Sequence, residues 1–293
     1  MKGLWTALIT PFKKGNGIDS EIDYVALEKL LNMQIEGGVD GVLLLGTTAE
    51  NPTLTKEEGL KIVKFSINIL KGKTKIMVNV GTYSTKSSIE NIENFDKVKG
   101  IDIYLVVNPY YNKPTQTGLK MHFITCAKGT SRNIVLYNIK GRTGVNLETS
   151  TLLEIVGECD NVIGVKEASG NMEQMLEVVN KTSDDFLVFS GDDSLTYELV
   201  KNGGSGVISV ASNIFPKMMK EFIDSCFEDN SKAEILNNKY SELFDKLFIQ
   251  ANPLPSKTYL ATKGIIEEEF RLPMCRMDNN ERIEFLDFMK NNY

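Results

Sequence analysis

The sequence predicts an α/β protein: a closed (β/α)8 TIM barrel over residues 1–213, followed by a C-terminal helical segment over residues 214–293 that packs on the barrel. Short apolar runs alternate with amphipathic stretches along the first 213 residues, as expected for parallel strands joined by right-handed helical crossovers. There are eight such runs, which favours a closed barrel over an open, doubly wound sheet. Three further amphipathic stretches follow and predict the C-terminal helices.

The strands are predicted where β-prone, apolar residues form runs too short for a helix. These runs are residues 5–10, 41–45, 75–80, 103–107, 134–137, 162–166, 187–190 and 206–209. Apolar residues at helical spacing predict the helices between them. These stretches are residues 21–36, 56–70, 85–97, 116–128, 148–156, 172–181 and 194–202, with 217–228, 232–249 and 281–291 in the C-terminal segment.

Composition and charge exclude several classes of protein. Hydrophobic residues make up 42% of the chain and charged residues 25%, which is typical of a globular protein. The net charge of -6 argues against nucleic-acid binding. No apolar run is long enough to span a membrane, and nothing at the N-terminus resembles a signal peptide, so we expect a cytoplasmic protein. Four scattered cysteines and a single histidine, His122, argue against disulfides, a metal site and a His-based triad.

The strand at residues 162–166 ends in a lysine, Lys166. Burial at the end of a strand disfavours the ammonium form and leaves more neutral amine. A neutral amine can attack a ketone and form a Schiff base. The alternative is that Lys166 reaches solvent and pairs with Glu167, and this stretch alone favours that alternative because lysines are usually solvated. The other strand ends shift the balance toward catalysis.

Chemistry in a barrel of this type gathers where the strands end. After the second strand, Thr47 and Thr48 follow a glycine turn and could hold a carboxylate, although an ordinary strand-to-helix turn is an equal alternative. After the fourth strand, Tyr110 and Tyr111 lie on a loop with two prolines. They could deliver a phenol to a site, but such tyrosines more often pack at an interface.

Tyr137 ends the fifth strand, next to the strand that carries Lys166, and could act there as a general acid and base. Arg142 follows and is suited to binding a carboxylate. Asp193 follows the seventh strand and could belong to a site at that strand end, but it could equally cap the helix that comes next. The glycine-rich run at residues 203–206 precedes the eighth strand, so it is more consistent with a turn at the opposite face than with a phosphate site.

These strand ends resemble those of dihydrodipicolinate synthases, within the pyruvate-aldolase superfamily that includes N-acetylneuraminate lyase. Nine motifs match in family order and cover almost the whole chain. They are residues 7–12 (ALITPF), 46–50 (GTTAE), 108–118 (NPYYNKPTQTG), 137–144 (YNIKGRTG), 164–170 (GVKEASG), 190–193 (SGDD), 206–210 (GVISV), 252–257 (NPLPSK) and 271–274 (RLPM).

The resemblance implies a homo-oligomeric barrel enzyme, a dimer or a dimer of dimers, that needs neither a metal nor an organic cofactor. Lys166 would condense with pyruvate, and the resulting enamine would attack a small aldehyde, L-aspartate-4-semialdehyde. Tyr137 would be the proton donor and acceptor beside the lysine. Thr47 and Tyr111 would complete a proton relay, with Tyr111 arriving from the neighbouring subunit. The product would feed lysine and diaminopimelate biosynthesis.

The resemblance also implies the residues that bind substrate. Thr48 and the backbone at Ile208 would bind the pyruvate carboxylate, and Arg142 would bind the carboxylate of the aldehyde at the mouth of the site. Gly191 would leave room beside the Schiff base.

Two departures bear on the aldehyde partner: Ala49 stands where the family usually has glycine, and Lys140 stands where it usually has proline. Two other functions therefore stay open. One is a class-I pyruvate aldolase that acts on a sugar acid or a 4-hydroxy-2-oxo acid, and the other is a non-catalytic binding homologue.

The resemblance further implies how the chain responds to free L-lysine. In lysine-sensitive family members the inhibitor site lies at the tight dimer interface and includes a glutamate that holds the lysine amine. Here Ser87 stands at the glutamate position in the preferred register, and Lys56 adds a like charge where sensitive members tend to carry histidine. Glu90 could replace the glutamate in another register, and Tyr110 is retained. We therefore expect weak inhibition by lysine or none.

Overall fold

Eight parallel strands form a closed barrel in sequence order, with β8 pairing with β1. The computed structural model describes residues 1–293. The strands are β1 (Gly3–Ala7), β2 (Gly41–Leu44), β3 (Lys75–Asn79), β4 (Ile103–Val107), β5 (Asn133–Asn138), β6 (Val162–Glu167), β7 (Leu187–Ser190) and β8 (Gly206–Ser209). The predicted fold, a TIM barrel with C-terminal helices, is therefore confirmed.

Twelve helices accompany the barrel. They are α1 (Tyr24–Gly37), α2 (Lys56–Leu70), α3 (Thr85–Asp96), α4 (Gln116–Lys128), α5 (Lys140–Thr143), α6 (Thr149–Glu158), α7 (Met172–Lys181), α8 (Thr196–Lys201), α9 (Pro216–Glu228), α10 (Asn230–Lys246), α11 (Leu254–Thr262) and α12 (Asn279–Asn292). Helix α9 packs on α1 and β1, so it closes the ring of helices around the barrel. None of the helices has the length and hydropathy needed to cross a membrane.

The first strand is shorter than predicted. It ends at Ala7, although the apolar run continues to residue 10. The amide of Leu8 still donates to the Leu43 carbonyl, but the amide of Ile9 donates to the Asn213 side chain at 3.0 Å. The chain leaves the sheet at Ile9, because the amide of Ile9 bonds a side chain and not the backbone of a neighbouring strand.

The core has two parts, separated by the sheet. Inward-facing strand residues such as Trp5, Met77 and Phe189 fill the barrel, and outward-facing residues pack against the helices. The alternation follows from the two-residue period of a strand. Trp5 and Phe189 meet edge to face with ring centroids 6.2 Å apart.

A buried ion pair connects the C-terminal segment to the barrel. Lys257 on α11 lies 2.6 Å from the carboxylate of Glu50, which follows β2, and both side chains are almost fully buried. The Lys257 ammonium also lies over the rings of Phe12 and Phe270, at 4.4 and 4.7 Å from their centroids. Removing one partner of such a pair leaves an uncompensated buried charge. The pair therefore fixes α11 over the C-terminal end of β2.

Candidate active site

The sheet register brings Lys166 and Tyr137 together. The two residues are direct partners between β5 and β6, and both side chains are buried. The Lys166 Nζ lies 4.4 Å from the centroid of the Tyr137 ring. This confirms the predicted adjacency of the amine and the phenol.

Glu167 does not pair with Lys166. It follows Lys166 in the strand and is itself buried. Its carboxylate accepts hydrogen bonds from Asn138 Nδ2 at 3.1 Å, the Ser169 amide at 2.9 Å and Gln174 Nε2 at 3.2 Å. The alternative of a solvated Lys166–Glu167 pair is therefore wrong, because both side chains are buried and the carboxylate is bonded elsewhere.

Burial sets the acidity of the lysine. It lowers the pKa of the Lys166 amine to about 8, while the nearby carboxylate of Asp193 acts in the opposite direction. Asp193 is buried, and its Oδ2 accepts hydrogen bonds from the amides of Val210 and Ala211, both at 3.0 Å. At pH 7 an amine with this pKa is neutral in about one molecule in ten, far more than an ordinary lysine. The site can therefore supply a nucleophilic amine.

Asp192, and not Asp193, caps the turn after β7. The Asp192 side chain accepts a hydrogen bond from the Ser194 amide at 3.0 Å, whereas Asp193 bonds the loop after β8. The sequence could not distinguish the two, because either aspartate stands where a cap is expected. The carboxylate of Asp193 therefore raises the pKa of the Lys166 amine, which opposes the effect of burial.

Tyr137 is held in its protonated form. Burial raises the pKa of its phenol to about 12, and the charge of Arg142 and the nearby Thr47 hydroxyl offset part of this effect. A protonated phenol can donate a proton, and it can accept one back when neighbouring groups stabilise the phenolate. Tyr137 and Thr47 therefore lie close together at the cavity, and their part in a proton relay stays a prediction.

A cavity of about 210 Å³ opens at the ends of β2 to β5. Its lining includes Thr47, Asn79, Val107, Tyr110, Tyr137 and Arg142. Lys166 is absent from the lining, as are Thr48, Gly191 and Ile208. The contact between the cavity and the amine is made by Tyr137, which borders both.

The residues predicted to surround the Schiff base lie outside the lining of this cavity. A Cβ atom on Gly191 would lie 3.0 Å from Lys166 Cε and 2.5 Å from the Ala168 Cβ, so any side chain there would crowd the lysine. Ile208 lies inside the barrel, on the strand next to Trp5, and is fully buried. These positions are compatible with the predicted roles.

Asn252 is a contact that the sequence reasoning missed. Its Nδ2 donates to Thr48 Oγ1 at 2.8 Å, and its carbonyl accepts from the Arg142 guanidinium at 3.2 Å. It therefore joins the two residues predicted to bind the two substrate carboxylates. Asn252 lies in the C-terminal segment and is distant in sequence from every strand end, so the pattern of residues at strand ends does not indicate it. Its motif, at residues 252–257, was the available signal.

Tyr111 is not part of the cavity of its own chain. Its side chain is 93% exposed, and its backbone has the left-handed φ of 75° that non-glycine residues rarely adopt. Tyr110 lines the cavity in its place and packs edge to face on Tyr83, with ring centroids 5.4 Å apart. A single chain therefore lacks the third hydroxyl of the predicted relay.

The glycine-rich run lies at the opposite end of the barrel. It connects α8 to β8, and Gly206 opens that strand with a φ of 127°. A Cβ atom on Gly206 would lie 2.0 Å from the Gly3 carbonyl, so only glycine allows the two strands to approach here. This run serves strand packing.

A (β/α)8 barrel with a buried lysine of lowered pKa at a strand end, beside a tyrosine, is the arrangement of a class-I aldolase-type enzyme. The chain matches the model of the Dihydrodipicolinate synthetase family over residues 1–292, and it belongs to that family.

Relatives and solved structures are similar along nearly the whole chain. A 4-hydroxy-tetrahydrodipicolinate synthase of Parabacteroides distasonis is 43% identical over 275 residues, covering 94% of this chain and 91% of the relative. The crystal structure of dihydrodipicolinate synthase from Aquifex aeolicus has a TM-score of 0.95 at 38% identity, covering 99% and 98% of the two chains. The synthase of Acinetobacter baumannii complexed with pyruvate has a TM-score of 0.94 at 34% identity, covering 99% and 98%.

Proposed function

We propose that this chain is a 4-hydroxy-tetrahydrodipicolinate synthase, which condenses pyruvate with L-aspartate-4-semialdehyde in lysine and diaminopimelate biosynthesis. Family membership and the synthase names of its relatives support this reaction. The observation that carries the chemistry is the buried Lys166 amine, with its lowered pKa, beside the Tyr137 phenol.

In the proposed mechanism, the neutral Lys166 amine attacks the keto carbon of pyruvate, and loss of water gives a Schiff base. The protonated Schiff base loses a proton from the methyl carbon and becomes an enamine. That carbon attacks the aldehyde carbon, and the aldehyde oxygen takes up a proton and becomes a hydroxyl. The amino group of the former semialdehyde then attacks the imine carbon, which closes the ring and releases the Lys166 amine.

We assign the proton transfers to Tyr137, which lies beside the amine, and to Thr47, which lines the same cavity. Tyr111 completes the relay from a second copy of the chain. Its exposure and its left-handed backbone support this assignment, because the loop holds the phenol away from its own barrel. The active form is then a homo-oligomer, a dimer or a dimer of dimers. We also propose a cytoplasmic location.

The two carboxylates are bound at separate points. Thr48 and the backbone at Ile208 take the pyruvate carboxylate, and Gly191 leaves space for the Schiff base beside Lys166. Arg142, exposed at the mouth and lining the cavity, takes the carboxylate of the aldehyde. A guanidinium is suited to this because its donors match the two oxygens of a carboxylate.

Borohydride trapping and an aldehyde assay test the proposal. Incubation with pyruvate followed by borohydride should add a stable adduct to Lys166, located by peptide mass spectrometry. In a separate assay of untreated enzyme, pyruvate consumption should depend on L-aspartate-4-semialdehyde more than on sugar aldehydes. An adduct on another lysine, or a clear preference for a sugar aldehyde, would contradict the proposed function.

A further inference from the structure

A carboxamide side chain projects into the catalytic cavity from β3. Asn79 is the last residue of that strand. Met77, two residues earlier, belongs to the set that fills the barrel interior, whereas Val78 packs on the helices. The two-residue period therefore directs Asn79 inward, and it lines the same cavity as Tyr137 and Arg142.

The amide of Asn79 is not satisfied by the protein. Its Oδ1 is buried and has no hydrogen-bond partner. Buried polar atoms in folded proteins are nearly always paired, and each exception needs an explanation. The terminal torsion of asparagine is broad and two-fold, so rotation exchanges the oxygen and the nitrogen at the cavity surface. Because the oxygen is buried as placed, the cavity offers a ligand one unused donor, or one unused acceptor after this rotation.

The residues next to Asn79 in the cavity are apolar, so they offer a ligand no other hydrogen-bond partner there. Leu105 is its partner across the β3–β4 pair, and both Leu105 and Val107 line the cavity. Thr143 also lines it, but its hydroxyl already bonds the carbonyls of Ile139 and Val145, both at 2.9 Å. Of the side chains that line the cavity, Asn79 is the one with a buried polar atom that has no partner in the protein, so it is available to a polar substituent of a bound substrate.

We propose that Asn79 is a specificity-determining residue for the second substrate, and that its amide oxygen accepts a hydrogen bond from the amino group of the incoming aldehyde. The inference rests on the proposed function, in which Arg142 binds the carboxylate of that aldehyde. An amino aldehyde needs a partner for its amino group as well. A neutral amide oxygen suits this group, because it accepts an N–H bond from the ammonium and from the neutral amine that later closes the ring.

The test compares two aldehydes that differ only in the amino group: L-aspartate-4-semialdehyde and succinic semialdehyde. The main variant is Asn79→Leu, which keeps a similar side-chain size and removes only the polar atoms. The matched control is Asn51→Leu, because Asn51 also lines the cavity but is not among the buried unpartnered amides. For each protein we would measure kcat/KM for the amino aldehyde, the inhibition constant of succinic semialdehyde, and the yield of the borohydride-trapped pyruvate adduct.

We expect Asn79→Leu to lower kcat/KM for the amino aldehyde about tenfold to a hundredfold, the usual effect of losing a hydrogen bond to a charged group. The inhibition constant of succinic semialdehyde and the trapping of pyruvate should stay near the wild-type values, and Asn51→Leu should change neither aldehyde selectively.

Equal losses for both aldehydes, no loss at all, a loss of trapping in Asn79→Leu, or the same selective loss in Asn51→Leu would each overturn the inference. A wild-type protein that forms no pyruvate adduct, or that does not turn over aspartate semialdehyde, would instead overturn the proposed function and the inference with it.

Discussion

At the residue scale, the proposed mechanism requires Lys166 to lose a proton before it attacks pyruvate. Burial lowers the pKa of its amine to about 8 from the ordinary 10.5, so the neutral fraction grows as the pH rises through about 8. We expect the rate of imine formation with pyruvate to rise about tenfold per pH unit below that value and to level off above it. Rapid-quench borohydride trapping across pH 6 to 10 measures this, and a midpoint near 10.5 would contradict the role given to burial.

Tyr137 provides a second prediction at this scale. Tyr137→Phe keeps the ring beside Lys166 and removes the hydroxyl, so we expect kcat to fall by about 10²–10⁴-fold. Pyruvate binding should change less, because the role proposed for the lost hydroxyl is proton transfer and not binding. Tyr104→Phe is the control, since it removes a buried phenol that bonds Asp96 at 2.8 Å outside the cavity. A Tyr137→Phe variant with wild-type turnover would remove the phenol from the mechanism.

At the scale of elements, the segment before α11 and the short helix α5 meet at Asn252. The two hydrogen bonds of Asn252, to Thr48 and to Arg142, predict that substitutions on the two sides affect different substrates. Asn252→Ala removes only the bond to Thr48 and should raise the pyruvate KM about twofold to tenfold, whereas Arg142→Ala should raise the aldehyde KM about tenfold to a hundredfold. Thr48→Val removes the same hydrogen bond and also the hydroxyl assigned to the pyruvate carboxylate, so it should raise the pyruvate KM at least as much as Asn252→Ala. Steady-state kinetics with each substrate varied in turn provides the measurement, and equal effects of Asn252→Ala on both substrates would argue against this prediction.

Helices α2 and α3 give a prediction about regulation. Lys56 on α2 lies 3.0 Å from the carboxylate of Glu90 on α3, so the acid that could replace the missing glutamate already has a cation partner. We expect free L-lysine to inhibit weakly or not at all, because a bound ammonium would have to displace Lys56. Lysine titration of the coupled assay at limiting pyruvate measures this. Partial inhibition at submillimolar lysine would show that the site is intact.

The predicted helices match the structure where polar and apolar residues alternate with the helical period, and they fail where a helix has no polar face. Helices α2, α4 and α7 have the predicted bounds, because each shows one apolar face. Helix α11 was missed because nearly all of it is buried, including Ser256 and Lys257, so it has no polar face to create a period. Asn252 and the inward-facing Asn79 were missed for a related reason: their roles depend on neighbours that are distant in sequence. The division of the chain at residue 213 stays a prediction.

At the scale of the whole molecule, the exposed Tyr111 predicts that two chains share a site. A Lys166→Ala chain retains Tyr111, and a Tyr111→Phe chain retains Lys166, so a mixed dimer contains one site with both residues. Each variant alone should be slow, and a mixture refolded or co-expressed together should recover up to about a quarter of wild-type activity. Purified mixed dimers assayed against each parent dimer provide the measurement. No recovery in a confirmed mixed dimer would place Tyr111 outside the relay.

The link between the C-terminal segment and the barrel mouth also decides when, during synthesis, the enzyme gains its activity. A ribosome that has finished β8 has made Lys166, Tyr137 and Arg142, but not yet Asn252 or Lys257. Chains fold from the N-terminus as they emerge, so the barrel strands can assemble while Thr48 still lacks the amide that orients it and Glu50 still lacks its cation. A nascent or prematurely terminated chain would therefore carry the reactive lysine without an ordered carboxylate site. With Thr48 as the proposed carboxylate ligand, we expect the ability to hold pyruvate only after the C-terminal segment has been synthesised.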